Sequence, residues 1–290
     1  FYPIVFEGKT FGSPDSLNPR SSSIILEQSR KTDGQFPLWQ PWIFSGMPTA
    51  DAFTYISSLY FPNYVLNLLF KSSHLTQLLH LIFSGLGGFV FLRFLGLSRI
   101  VAFMGGTAFM ITPFMITMIV FGHGSQMMTA AYIPWIMFLT TKVMQKPIMF
   151  NVGLLAILIG LQLQRAHVQI AYYTWMLAGA FVLFTFISTY KVPEKRNNSL
   201  YGLGGFAIAA LLGFGISLLI YLPSLEYTSY SVRGGGVSGG ADYNYATSWS
   251  FSPKGLLTFI IPSALGFGGQ TYWGNMPFTD YPNYMGIVIL

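Results

Sequence analysis

Six long apolar runs separated by short polar breaks dominate the middle of the chain: Leu75–Leu97, Ile100–Phe121, Met128–Met144, Ile148–Leu163, Val168–Tyr190 and Leu200–Leu222. Most reach the roughly 17–25 residues that a helix needs to cross a bilayer, although Ile148–Leu163 is short. The fourth and fifth together cover 43 residues, too many for one crossing at about 1.5 Å of rise per residue. A turn is therefore expected near Gln164-Arg165-Ala166, with no Gly or Pro to mark it. Phe1–Phe6 and Tyr284–Leu290 are also apolar and read as spans cut short, so the expectation is a fragment of a longer membrane protein. Leu59–Phe70 is apolar but too short to cross, as an interfacial or re-entrant segment would be.

The pattern predicts an all-α polytopic membrane protein. Residues 1–290 form a single transmembrane domain, with a first large loop at 7–71, a six-helix membrane core at 72–222 and a second large loop at 223–283. Composition agrees. Only 8% of residues are charged and 52% are hydrophobic, against about 25% charged in a soluble domain. Mean hydropathy is +0.53. A soluble globular protein is excluded, because too few charges are available to cover its surface. The absence of Cys excludes disulfides, thiolate metal sites and Cys nucleophiles.

The net charge of +6 changes the picture only through its placement. Arg93, Arg99, Lys142, Lys146, Lys191, Lys195 and Arg196 occupy three short connections, whereas the alternate short connections hold Arg165 alone. By the positive-inside rule the seven face the cytoplasm. Glu7–Lys71, Gly122–Met127, Gln164–His167 and Pro223–Asn283 then face outward, with every acidic residue except Glu194. The positive charge is thus a sign of topology rather than of a nucleic-acid partner.

Candidate chemistry collects in these outer segments. Asp15, in Gly12-Ser13-Pro14-Asp15-Ser16, is a general base at the membrane mouth or a turn residue, and the local residues alone favour the turn. Trp39 and Trp42 lie in the Trp- and Pro-rich stretch Phe36–Pro48; they anchor it at the headgroups or stack on sugar rings. His123 follows the second apolar run. Gln162, Gln164, Arg165, His167 and Gln169 bring polar groups into the apolar zone, where ionisable side chains are costly and mark function. Arg165 can pair with a phosphate or reach to the headgroups. Arg233 precedes Gly234–Gly240, either a phosphate-holding loop or a plain glycine linker. Gly8-Lys9-Thr10 is no P-loop, Gly236-Val237-Ser238-Gly239-Gly240 lacks the strand and helix of a nucleophile elbow, and the four His have no metal-ligand spacing.

The order of these pieces resembles the YfhO-like family of bacterial membrane proteins, which are similar to membrane glycosyltransferases of the GT-C fold. The resemblance rests on Asp15, Phe36-Pro37-Leu38-Trp39-Gln40-Pro41, Gly46-Met47-Pro48, Tyr60-Phe61-Pro62 and Asn67-Leu68-Leu69. It continues through Gly122-His123, His167-Val168-Gln169-Ile170-Ala171-Tyr172-Tyr173, Ser231-Val232-Arg233-Gly234, Tyr272-Trp273-Gly274 and Tyr284-Met285-Gly286. No single motif is specific; their order and shared outer face carry the likeness over the whole chain.

The resemblance implies a multi-pass enzyme of the bacterial cytoplasmic membrane working at its outer face. It would move a sugar from a polyprenyl-phosphate donor to a cell-envelope polymer or lipid. Asp15 becomes the expected catalytic base. Asp51 stands where an amide is expected and is a second catalytic candidate. Arg233, then Arg165 or His167, would hold the donor phosphate; His123, Gln169, Trp39 and Trp42 would bind substrate. No cofactor is implied, and nothing in the sequence supports a divalent metal. Two rival readings share the polar outer mouth: a transporter or flippase of lipid-linked glycans, and a glycan-binding envelope protein without catalysis. Membrane lipids are the other expected partners, and no nucleic acid is.

Overall fold

The computed structural model describes residues 1–9, 11–35, 37–42, 45–49, 59–69, 73–230, 243–248, 250–266, 271–276 and 284. Helix makes up 73% of the structure, and the described residues are all-α apart from one short hairpin. The helices are α1 (Tyr2–Phe6), α2 (Pro14–Asp33), α3 (Pro62–Leu69), α4 (Ser73–Phe94), α5 (Arg99–Met110), α6 (Pro113–Val120), α7 (Gly124–Ala130), α8 (Ile133–Gln145), α9 (Met149–Leu163), α10 (Val168–Tyr190), α11 (Pro193–Thr228) and α12 (Tyr243–Thr247). A 3-10 helix follows at Pro253–Phe259.

Among the described residues, four segments are long and apolar enough to cross a membrane: His74–Phe94, Arg99–Val120, Val168–Tyr190 and Pro193–Thr228. The second is interrupted between α5 and α6, where Pro113 lacks the N–H that would continue the ladder. The apolar run Met128–Met144 is likewise divided at Ala131-Tyr132, with Pro134 in the first turn of α8. At the far end the structure extends one boundary. Pro223 lies inside α11 rather than ending it, so the second large loop begins after Thr228 instead of at residue 223.

In α10 and α11 the sidedness is inverted relative to a soluble protein. In α10 the buried positions are Ala171, Thr174, Ala178 and Val182. Its exposed face carries Met176, Leu183, Ile187 and a 70% exposed Phe184. Along α11 the buried stripe is Ser199, Gly202, Gly205, Ala209, Gly213, Ser217 and Ile220, while Leu211 is 72% exposed. Small residues inside and large apolar residues outside are what helices packed in lipid require. Lipid gives no hydrophobic drive between helices, so close approach supplies the contact.

Glycines set those approaches. A Cβ on Gly213 would lie 2.5 Å from the Ile159 side chain, and one on Gly160 would lie 2.7 Å from Ile216, which packs α9 tightly on α11. Between α4 and α5, a Cβ on Gly106 would sit 2.5 Å from the Gly85 carbonyl oxygen. Backbone cannot give way as a side chain can. Gly106→Ala is therefore expected to destabilise the protein by about 1–3 kcal/mol, seen as a lower melting temperature in detergent. Gly179→Ala, where nothing lies within 4 Å, is expected to be neutral or slightly stabilising.

The described part of the first large loop holds two helices and a hairpin. Asp15 is the second residue of the 20-residue helix α2, rather than part of a Pro-Asp-Ser turn; Pro14 opens the helix with its φ already set. α2 is polar, and Leu26 alone of its described side chains is buried, so α2 is no span. Strands β1 (Trp39–Gln40) and β2 (Met47–Pro48) pair antiparallel, with Trp39 opposite Pro48. The hairpin closes through Gly46 at φ +115, and a Cβ there would strike the Trp39 ring at 2.6 Å. α3 falls within the apolar segment that the sequence marks as too short to cross.

Candidate functional site

The turn joining α9 to α10 forms without Gly or Pro. Ala166 takes the left-handed conformation at φ 57, and its N–H bonds the Leu163 carbonyl at 2.8 Å while that of Arg165 bonds Gln162 at 3.1 Å. A non-glycine residue there is strained by about 1 kcal/mol or more. The tight reversal directs Arg165 inward, where it is only 6% exposed. Its guanidinium carbon lies 4.4 Å from the centre of the Tyr60 ring.

Tyr60 is the middle of a buried hydrogen-bond chain. His80 Nδ1 lies 2.7 Å from the Thr76 carbonyl oxygen. A carbonyl only accepts, so Nδ1 carries the proton and Nε2 presents its lone pair. The Tyr60 hydroxyl, 2.6 Å from Nε2, therefore donates to it. With that proton committed, the Tyr60 oxygen accepts from the Tyr132 hydroxyl. Burial holds the Tyr60 phenol above its usual pKa, against smaller opposing effects from the Tyr132 hydrogen bond and the Arg165 charge. Phe83 packs edge-on to Tyr132 at 5.2 Å and stacks with Trp135 at 5.2 Å.

The surrounding turn adds amides. Gln164 Oε1 accepts from the Phe61 N–H at 3.2 Å, and its Nε2 donates to the Ile216 carbonyl at 3.4 Å. Gln162, fully buried, donates through Nε2 to the Thr129 carbonyl and the Thr174 hydroxyl. Polar groups from α4, the α7–α8 break, the α9–α10 turn and the segment before α3 thus converge at one end of the bundle. Arg93, Arg99, Lys142, Lys146, Lys191, Lys195 and Arg196 lie at or beside the opposite ends of these helices.

Among the residues singled out from sequence, His123 precedes α7 and His167 precedes α10. Both are half-buried and close enough to interact. Burial first, and the His123 charge second, push the His167 imidazole below its usual 6.5, against a smaller backbone hydrogen-bond effect. The unfolded chain therefore takes up a proton below about pH 6.5 that folded His167 resists. The stability it contributes is complete above that pH and falls as pH drops through the interval below it. His167→Gln is expected to flatten this fall, read as melting temperature against pH from roughly 7.5 to 5.

Gln169 is exposed and donates to the Tyr173 hydroxyl at 3.0 Å. Trp39 and Trp42 are exposed on and beside the hairpin. Asp51 and Arg233 lie outside the described residues, as does the side chain of Asp15. Phe11, four residues before Asp15, meets His74 at the start of α4 edge-on, with ring centres 5.6 Å apart; α2 thus starts near the end of α4 that carries His80. Tyr60, His80 and Tyr132 were not among the sequence candidates.

Below the polar end, Ile136, Ile159, Trp175, Ala178, Phe206 and Ala210 line an apolar cavity of about 170 Å³. It lies among α8, α9, α10 and α11. No known family model matches the chain, and no curated protein or solved structure matches it either.

Proposed function

We propose that the chain belongs to a membrane glycosyltransferase of the GT-C type, resembling the YfhO-like family. Six crossing segments, counting α7–α8 and the short α9 as crossings, would place the polar end of the bundle at the outer face of a bacterial cytoplasmic membrane. There the enzyme moves a sugar from a polyprenyl-phosphate donor to a cell-envelope acceptor. The observation that carries this reading is the buried cluster of Tyr60, His80, Tyr132 and Arg165 at one end of an otherwise apolar bundle. Burying a guanidinium and an imidazole there is costly and is retained where they serve a polar substrate.

In this mechanism Asp15 takes the proton of an acceptor hydroxyl as its oxygen attacks the anomeric carbon. The new C–O bond forms while the bond from that carbon to the donor phosphate breaks, and the lipid phosphate leaves with the electron pair. Arg165, Arg233 and His167 meet the charge that develops on phosphate oxygens. Asp51 is the alternative base. The aromatic hairpin and His123 face the sugars, and the apolar cavity receives part of the lipid tail.

The test presents purified full-length protein with a panel of polyprenyl-phosphate sugars and measures released lipid phosphate together with a new glycosidic bond. Release with at least one donor supports the reading. Lipid-linked sugar crossing proteoliposomes with no bond made, or binding without turnover, would replace it with transport or recognition.

A further inference from the structure

Four segments distant in sequence meet at Tyr60, and their order of dependence is legible. The Thr76 carbonyl fixes the His80 tautomer at 2.7 Å. His80 Nε2 fixes the Tyr60 hydroxyl at 2.6 Å. The Tyr132 hydroxyl closes the remaining acceptor of Tyr60. The ring so held lies under Arg165, 4.4 Å from the guanidinium carbon. A second tie keeps the two in register, because Gln164, next to Arg165, bonds the backbone of Phe61, next to Tyr60, at 3.2 Å.

We infer that Tyr60 is a positioning residue for Arg165, held for that task by His80 and Tyr132, and that it aims the guanidinium at the phosphate of a polyprenyl phosphate. The inference rests on the glycosyltransferase reading given above. An aromatic face is suited to this role because it holds a guanidinium flat against the ring and fixes the plane of its fork. The hydrogen-bond chain keeps the ring from turning. A long side chain then meets the phosphate already ordered, so little rotamer freedom is lost on binding. Tyr60 touches no substrate in this scheme; it acts through Arg165.

The experiment titrates full-length protein in phosphatidylcholine nanodiscs with a polyprenyl monophosphate and, separately, with the matching polyprenol. Wild type is expected to prefer the phosphate, and Arg165→Ala to lose that preference. Tyr60→Leu, which removes the ring, is expected to weaken phosphate-lipid binding about tenfold while polyprenol binding stays as in wild type. Tyr60→Phe, which keeps the ring but frees it to turn, is expected to lose less. A purely structural role would weaken both ligands together, and that result overturns the inference. So does Tyr60→Leu binding as wild type while Arg165→Ala loses the preference, which would leave the glycosyltransferase reading intact. A wild type that does not distinguish phosphate from alcohol overturns both. If Tyr60→Leu does not fold, His80→Phe is judged by the same discrimination, since it leaves the Tyr60 ring but removes the acceptor of its hydroxyl.

Discussion

Asp15→Asn is expected to slow sugar transfer by about 10²–10⁴-fold, the range that a positioned general base contributes, with donor binding unchanged. The exchange keeps the size of the side chain at the second residue of α2 and removes its capacity to take a proton. Released lipid phosphate and newly formed glycoside, measured on purified full-length protein, report the loss. Asp51→Asn belongs in the same series, because Asp51 is the alternative base proposed in the same loop. Loss in Asp51→Asn with none in Asp15→Asn would transfer the role to Asp51. Loss in neither would take both Asp15 and Asp51 out of the mechanism.

The second large effect is expected at Arg165. Arg165→Ala should reduce kcat by about 10²–10³-fold, the usual effect of losing one fixed donor to charge that develops in the transition state. Lys should restore little. Its ammonium is a point charge without the plane that lies over Tyr60 or the fork that fits two phosphate oxygens. The melting temperature must be followed beside the rate, since removing a buried side chain also loses the contact with the ring. Wild-type turnover in a folded Arg165→Ala protein would take Arg165 out of the mechanism.

The crossing helices were legible because a bilayer imposes apolar length. α10 has the bounds that its apolar run predicts, and the turn demanded by the joint length of α9 and α10 occurs at Gln164–His167. α2 was not legible. Its described side chains include one buried residue, Leu26, so no apolar period betrays a helix, and the Pro-Asp-Ser residues at its start suit a turn equally well. The extension of α11 past Pro223 is not legible either, because a proline weakens a helix without always ending it.

Of the candidate site, Arg165 was found because a charge beside an apolar run is conspicuous. Its supports were not. Tyr132 lies within an apolar run and counts toward its hydrophobicity, and His80 shares no metal-ligand spacing with the other histidines. Their link through Tyr60 joins residues 20 and 72 positions apart, which no local pattern encodes. The available signal was the ionisable His80 inside the first span, two turns from its start.

The left-handed Ala166 has a consequence for the chain before it folds. Glycine would relieve the strain of about 1 kcal/mol, yet would enlarge the unfolded ensemble by a cost of about 0.4–1 kcal/mol on folding. The two nearly cancel, so global stability is almost indifferent to the choice. The native ensemble is not. Glycine would open many alternative backbone conformations to the residue beside Arg165, whereas alanine leaves few. Alanine at this position thus narrows the range of directions in which the buried cation can point, at almost no net expense to the fold.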